Sequence, residues 1–277
     1  MSGILYLVGT PIGNLSDFSP RAVATLEAVD FIAAEDTRVS MKLLNHFGIK
    51  KQLVSYHQHN CMSSGQAIVE RLLSGESCAL VTDAGMPAIS DPGEDLVRLC
   101  AQHEITVQTI PGPSAFVSAL ALSALPTGRF TFEGFLSTNK KSRRAHLDSL
   151  AGEQRTMIFY EAPHKLRGTL DDLYAAFGDR PIALCRELTK LHEDTMRTTI
   201  AQAIAHYEEN DPKGEFVLVI AGAEPVEEAS VTLEDAVAMV LKRRENGERM
   251  KDAVRQVSAD TGLNKNELYE AALKAGC

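Results

Sequence analysis

Three short polar segments hold most of the side chains in this 277-residue chain that could do chemistry. Glu35-Asp36-Thr37-Arg38, Tyr160-Glu161-Ala162-Pro163-His164-Lys165 and Arg186-Glu187-Leu188-Thr189-Lys190 each follow a run of apolar, strand-forming residues. Carboxylates and cations at the end of a strand can position a polar substrate, and Arg38 could hold a phosphate through two parallel N–H bonds. Helix capping by Asp36 or Thr37 is the competing account of the first segment. His57, His59 and Cys61 recur at alternate positions, so on a strand they would share one face as metal ligands. A zinc site also wants a fourth ligand and supporting partners, and the spacing offers neither. The expectation is therefore a polar loop at the mouth of a cleft, and no metal.

Small residues form the other chemical feature. The segments LYLVGTPIGN (5–14), CALVTDAGMPAISDPG (78–93) and VQTIPGPSA (107–115) each run from an apolar stretch into Gly, Pro, Ser and Thr. Gly and Ala let main chain approach a flat ligand closely, and Pro fixes the turn. Ligands of open α/β sheets bind outside the carboxyl ends of the strands, so three such loops can build one pocket. GTPIGN is shorter than G-x-G-x-x-G and carries Pro11, and neither G-x-x-x-x-G-K-[ST] nor H-E-x-x-H occurs. Dinucleotides and triphosphates thereby lose their main support. A neutral or zwitterionic ligand, such as adenosine with an amino-acid tail, suits exposed N–H and C=O groups better.

The elements that must position these groups follow from periodicity. Strands are expected over 5–8, 31–34, 53–55, 79–82 and 107–110, with helices over 20–28, 39–47, 67–73, 96–103 and 115–122 between them. That alternation implies a mainly parallel sheet covered on both faces. After Pro126-Thr127-Gly128 the balance shifts to strands over 130–135, 156–160, 182–186, 196–199 and 216–220, with helices over 143–150, 165–177 and 200–207, which favours a mixed sheet. Beyond Ala223-Glu224-Pro225 an acidic linker leads into three helical segments. The last two read VRQVSADTGLNKNELYEAAL, where Gly262 turns the chain, Leu263 packs inward, Asn264 caps and Leu268 returns to the same face. This is helix-turn-helix spacing, and a plain packing appendage has the same spacing. The expected organisation is α/β: an N-terminal domain over 1–125, a second α/β domain over 126–225 closing a cleft, and a helical domain over 226–277.

A net charge of -9 argues against a general nucleic-acid coat. Two basic clusters stand out locally, NKKSRR with Lys140, Lys141, Arg143 and Arg144, and a second with Lys242, Arg243, Arg244, Arg249, Lys251 and Arg255. Each is either a solvated face or a nucleic-acid contact. The five cysteines are scattered and include no C-x-x-C pair, so Cys78 and Cys185 read as core hydrophobes and Cys61, Cys100 and Cys277 suggest no framework. No stretch approaches the ~20 apolar residues of a membrane span, and no basic run precedes a long apolar N-terminal segment, so the expected location is the cytoplasm.

Taken in order, GTPIGN, AAEDTR, SYHQHN, TDAGMPAISDPG, PGPSA, EGFL, FYEAPHK, CRELTKLHE and GEFVLVI resemble the tetrapyrrole-methylase superfamily, from about residue 4 to residue 222, and within it the branch that modifies ribosomal RNA. Ser137-Thr138, where Pro is common, and Lys165, where Arg is common, depart from that pattern. The resemblance implies two α/β domains holding S-adenosylmethionine in their cleft, usually in a homodimer. It also implies 2′-O-methylation of a cytidine ribose in the decoding region of 16S rRNA, free or within the small ribosomal subunit. Carried over by motif, Thr10 and Pro11 would border the methionine part of the cofactor. Ala84, Met86, Ala88 and Ile89, then Ser114 and Ala115, would form the wall, and Tyr160, Leu188 and Val217 would enclose the adenosine. Methyl transfer from a sulfonium needs alignment more than a metal, with a base for the hydroxyl proton or a cation for the developing alkoxide. Asp36, Glu187 and His57 are the candidate bases, Arg38 and Lys190 the candidate cations. A corrinoid or porphyrinoid methyltransferase of the same fold, or a nucleic-acid-binding regulator using the C-terminal helices, remain the alternatives.

Overall fold

The computed structural model describes residues 2–224 and 231–275. The chain divides into two compact units, Met1–Ala223 and Glu224–Cys277. The expected linker from Pro225 to residue 230, and Cys277, lie outside the described residues.

The first unit opens with β1 (Leu5–Val8), α1 (Pro20–Ala28), β2 (Phe31–Ala34), α2 (Thr37–His46), β3 (Gln52–Ser55), α3 (Cys61–Leu73), β4 (Cys78–Val81), α4 (Glu94–Gln102), β5 (Val107–Ile110) and α5 (Ala115–Leu122). The five strands pair in parallel in the order β3-β2-β4-β1-β5. Their sequences explain this: FIAA and CALV are buried along their whole length, as strands covered on both faces must be. Alternate residues divide between two cores. Phe31, Ala33, Cys78 and Leu80 meet Ile68 and Leu72 of α3 and Leu96 and Cys100 of α4. Ile32, Ala34, Ala79 and Val81 meet Ala22 and Leu26 of α1 and Leu44 of α2. At the start of α1 the Ser19 hydroxyl accepts from the Ala22 N–H at 3.1 Å, with Pro20 in the first turn.

Strand order decides where a ligand can sit. From β1 the chain crosses toward β2 and β3, and from β4 it crosses back over β1 to β5. The two connections leave in opposite directions, with α1 and α4 on opposite faces. A crevice therefore opens between the carboxyl ends of β1 and β4, the topological switch point of the sheet.

One local expectation is corrected. β3 ends at Ser55, and His57 to Asn60 form a turn in which the His57 N–H donates to Asn60 Oδ1 at 2.8 Å. Cys61 then opens α3, so the helix begins well before residue 67. His57, His59 and Cys61 thus share no strand face, because the side chain of Asn60 closes the turn where the alternation suggested extended chain. No group of three or more His, Cys, Asp or Glu among the described residues could hold a metal ion.

The same unit continues with β6 (Phe130–Phe135), α6 (Lys140–Ser149), β7 (Thr156–Glu161), α7 (Leu166–Phe177), β8 (Pro181–Arg186), β9 (Asp194–Thr199), α8 (Ile200–Glu209) and β10 (Phe216–Ile220). The order is β6-β7-β10-β8-β9, with β6 and β7 parallel and the remaining pairs antiparallel, the mixed sheet expected from the sequence. One face packs on α6, α7 and α8 through Leu147, Leu170, Leu173 and Ile200. The other receives Ala119 and Leu120 of α5 against Ile158, Ala183, Val217 and Val219. Thus α5 follows a strand of the first sheet but belongs to the core of the second, which ties the two sheets together.

The second unit is a three-helix cluster, α9 (Leu233–Glu245), α10 (Met250–Thr261) and α11 (Lys265–Ala275), around Val240, Val254, Val257 and Leu268. Thr232 and Asp235 form a reciprocal capping box at the start of α9. Gly262, at φ 72°, ends α10 in the left-handed conformation, and Asn264 Oδ1 accepts from the Asn266 N–H at 2.9 Å. No helix among the described residues is long and apolar enough to cross a membrane.

Candidate active site

The loops that leave β1, β4 and β5 are locked together by main chain. Thr10 and Gly85 exchange N–H···O bonds of 2.9 and 3.2 Å, and the Thr10 hydroxyl donates to the Thr82 carbonyl at 3.1 Å. Gly9 and Gly112 touch: a Cβ added to Gly9 would lie 2.7 Å from the Gly112 Cα and from the Met86 sulfur. Neither glycine can acquire a side chain without parting two loops.

Beside this knot lies a cavity of about 380 Å³. The first sheet contributes Ile12, Ala84, Gly85, Met86 and Ile89 to its wall, and α5 contributes Ser114, Ala115 and Phe116. The second sheet closes it with Phe135, Tyr160, Cys185, Leu188, Phe216 and Val217. Tyr160 is braced by Phe132 and Phe135, with ring centroids 5.1 and 5.3 Å away. Burial pushes its phenol up to about 12, so the ring is neutral at ordinary pH.

Among the cofactor positions suggested by sequence, Ala84, Met86, Ile89, Ser114, Ala115, Tyr160, Leu188 and Val217 lie on this wall. Thr10 stands behind it, buried, as the clasp between loops. Pro11 and Ala88 also fall outside the lining, and Ala88 takes a left-handed φ of 69° that bends the β4–α4 loop.

The charged candidates separate. Asp36 caps α2, its carboxylate accepting from the Arg38 N–H at 2.8 Å and pairing with the Arg38 guanidinium at 2.6 Å. These hydrogen bonds hold Asp36 down at about 2, which makes it a weak base, and neither Asp36 nor Arg38 is on the cavity wall. His57 is also off the wall, its ring Nδ1 accepting from the His59 N–H. Glu187 and Lys190 do reach the cavity, bonded to each other at 2.9 Å, with Lys190 also donating to Glu215 at 3.2 Å. The lysine hydrogen bond lowers Glu187 below the usual carboxylate range. Burial alone would lower Lys190, but its two carboxylate partners outweigh that and raise it. Glu187 and Thr189 adopt left-handed φ of 52° and 67°, which stores backbone strain at the turn after β8.

Sequence reasoning singled out Glu35 within its polar segment but missed the two carboxylates that join it on the opposite wall, Asp83 and Asp91. Glu35 accepts the Thr82 hydroxyl at 2.6 Å, and Asp83 accepts the Asp36 N–H at 3.2 Å. Burial and the like charge of Glu35 raise Asp83, and the same two causes push Asp91 up to about 6. All three lay in quoted motifs, but only the fold reveals that they converge, with Arg38, which acts on Asp83, already paired to Asp36.

The basic segment 140–144 opens α6, with Asn139 capping it. Arg143 turns inward to Asp172 and Thr169 and is 13% exposed, whereas Arg144 is 85% exposed and Lys140 and Lys141 face solvent.

The sequence profile described as "Tetrapyrrole (Corrin/Porphyrin) Methylases" matches residues 4–204. The chain is 50% identical over 273 residues to the ribosomal RNA small subunit methyltransferase I of Synechocystis sp., covering 98% of both chains. Proteins of the same name from Halalkalibacterium halodurans and Bacillus subtilis are 47% and 44% identical, over 96% and 97% of this chain and 93% and 94% of theirs. Among solved structures, diphthine synthase aligns with a TM-score of 0.60 at 14% identity, covering 80% of this chain and 90% of its own. Uroporphyrin-III-C-methyltransferase from Thermus thermophilus aligns at 0.54 and 19%, covering 78% and 94%. At such identities these two establish the fold.

The methyl donor of the methylase family whose profile matches is S-adenosylmethionine, and the cavity suits it. The volume falls within the ~300–1,000 Å³ of small-molecule sites. Main chain and apolar side chains accept a flat nucleoside, while the acidic Glu35 and Asp83 favour a cationic sulfonium over an anion. When bound, the donor would supply an electrophilic methyl group, held by the knotted loops on one side and Leu188 and Val217 on the other. With a profile match over most of its length and near-full-length relatives, the chain belongs to the tetrapyrrole (corrin/porphyrin) methylase family.

Proposed function

We propose that this protein methylates the 2′-oxygen of a cytidine ribose in the decoding region of 16S rRNA, with S-adenosylmethionine as donor. The observation that carries the RNA part of this reading is likeness along 98% of the chain to a relative named for small-subunit ribosomal RNA. The cavity supports it chemically. A target nucleotide must leave its stack to reach an enclosed donor. Phe135, 61% exposed on the cavity wall, offers a face on which its base can stack, which is worth ~1–3 kcal/mol per base. Lys140, Lys141 and Arg144 on α6 offer phosphate contacts. Glu187 and Lys190 hold the strained turn that closes the donor side, a positioning role their mutual pairing favours over proton transfer.

The enzyme works as a homodimer in the cytoplasm, taking rRNA or the small ribosomal subunit as substrate. Support for the dimer is the family resemblance; light scattering of the purified protein tests it. The site assignment is tested on 16S rRNA from cells lacking the protein. A 2′-O-methyl group blocks alkaline cleavage of the adjacent phosphodiester, so wild-type rRNA should leave a gap in an alkaline ladder that the deletion fills. Identical ladders would remove the ribose assignment, and an absorbance shift on adding a porphyrinoid would favour the tetrapyrrole alternative.

A further inference from the structure

Asp91 is the carboxyl group of the cavity with the least to occupy it. It lies on the wall in the loop between β4 and α4, and the charges that act on it are Glu35 and Asp83, both of its own sign. Among the described residues, the Thr82 side chain is the one hydrogen-bonding group acting to lower Asp91, and its hydroxyl donates to Glu35 at 2.6 Å. Elsewhere on the wall, Glu161 is buried and takes the Ala162 N–H and the Thr169 hydroxyl, while Glu187 and Glu215 share Lys190. The backbone holds Asp91 in place at some strain. Ala88 and Ser90 have left-handed φ of 69° and 65°, and Gly93, at φ 146°, packs so closely that a Cβ would lie 2.9 Å from the Ala88 Cβ. Non-glycine residues persist in that region only where their surroundings over-determine them, most often at functional sites.

We propose that Asp91 is the proton acceptor for the substrate hydroxyl, an assignment that rests on the ribose-methylation reading above. As the ribose oxygen bonds to the methyl carbon, the S–C electron pair leaves to sulfur and the hydroxyl proton passes to an Asp91 carboxylate oxygen. Burial, then the charge of Glu35, push this group up to about 6, so at pH 7 it is ionised yet more basic than an ordinary carboxylate. Glu35 from the end of β2, Asp83 from its own loop and Tyr160 from β7 face it, and the Glu187–Lys190–Glu215 group lies on the same cavity wall.

The test uses single-turnover methylation of small ribosomal subunits from cells lacking the protein, with S-adenosylmethionine, across about pH 5–9. Wild type should lose rate with an acid limb near 6, and Asp91→Asn should fall at least ~100-fold and lose the limb, while Asp91→Glu recovers ~10-fold or more. Two readouts need no turnover. Calorimetric affinity for S-adenosylmethionine in Asp91→Asn should stay within about threefold of wild type. A carboxyl carbon-13 resonance titrating near 6 in the free protein should vanish in that variant. Asp91→Asn turning over within about threefold of wild type with its acid limb intact overturns the assignment. So does a loss of donor affinity as large as the loss of rate, which would make Asp91 a donor ligand. Alkaline mapping of the wild-type product separates the two levels: an unbroken ladder defeats the ribose reading and this assignment with it, whereas a gap with an active Asp91→Asn defeats the assignment alone.

Discussion

The two walls of the cavity treat their carboxylates in opposite ways. On the second-sheet side, Glu187 and Glu215 share Lys190, and Glu161 is saturated by Thr169 and the Ala162 N–H. On the first-sheet side, Glu35, Asp83 and Asp91 stand together with hydroxyl and N–H donors and, among the described residues, no salt-bridged cation, since the Arg38 that acts on Asp83 is paired to Asp36. The consequence appears in their acidity, with Glu187 lowered and Asp83 and Asp91 raised. A neutralised carboxylate fixes geometry; an unneutralised one attracts a cation and accepts a proton. With Asp91 as the proposed proton acceptor, one wall would hold and the other react.

The severest way to break this contrast is to give the acidic wall a cation of its own. Ala84→Lys places an ammonium beside Asp83 on the cavity wall and fills space meant for ligand. S-adenosylmethionine affinity by calorimetry should fall at least ~100-fold, about 2.7 kcal/mol. Near-wild-type affinity would take the β4–α4 loop out of the donor site.

Removing the cation from the other wall should act on stability instead. Lys190→Met leaves Glu187 and Glu215 without their partner, and Glu187 is only partly exposed. A loss of about 1–2 kcal/mol at pH 7 is expected, below the 3–5 of a fully buried pair. Because the folded Glu187 has a lowered pKa, its contribution is present above the unfolded value of ~4.3 and fades as pH falls through the folded one. The gap in melting temperature between wild type and variant should therefore close on acidification. A gap that stays constant down to pH ~3 would assign the loss to packing of the lysine stem.

Asp91 gives the opposite sign in the same experiment. Its folded pKa of about 6 lies above the unfolded ~3.9, so the native state binds more protons in between. Stability contributed by the group is greatest below ~3.9 and falls as pH rises through 6. Asp91→Asn should then melt higher than wild type at pH 8, by about 1 kcal/mol after solvent screening, and the advantage should disappear near pH 4. A variant less stable than wild type at pH 8 would mean that the carboxylate has a partner the acidic wall lacks.

The two walls also differed in how legible they were in the sequence. Strands stood out because FIAA, CALV and FVLVI are apolar throughout, and each lies within two residues of its expected bounds. The glycine- and alanine-rich loops marked what became one wall of the cavity, because close main-chain approach demands those residues. What period and composition cannot encode is strand order, and order brings Glu35 after β2 beside Asp83 and Asp91 after β4. Pairing state was hidden for the same reason. Asp36 looked like a base until Arg38 folded onto it, and the turn at Asn60 withdrew His57 from the alternation that had suggested a shared face.

The smallest expected effect concerns the proposed RNA contacts, where the same contrast between paired and unpaired charge recurs on α6. Arg143 bridges α6 to α7 through Asp172 and Thr169 and is 13% exposed, whereas Arg144 reaches Asp148 only at 3.8 Å and is 85% exposed. If phosphates are bound here, the exposed cations should carry the salt dependence. Each phosphate neutralised contributes ~0.7–0.9 to the slope of log affinity against log salt. Lys140→Ala with Arg144→Ala should reduce that slope by about 1–2 and leave the melting temperature within a degree or two. Arg143→Ala should do the reverse, keeping the slope while removing the donor that links Asp172 and Thr169 to α6, at about 1 kcal/mol of stability. An equal drop in slope from Arg143→Ala would mean that the inward pair opens to receive the nucleic acid, because a guanidinium that stays on Asp172 has no charge left to release a counterion.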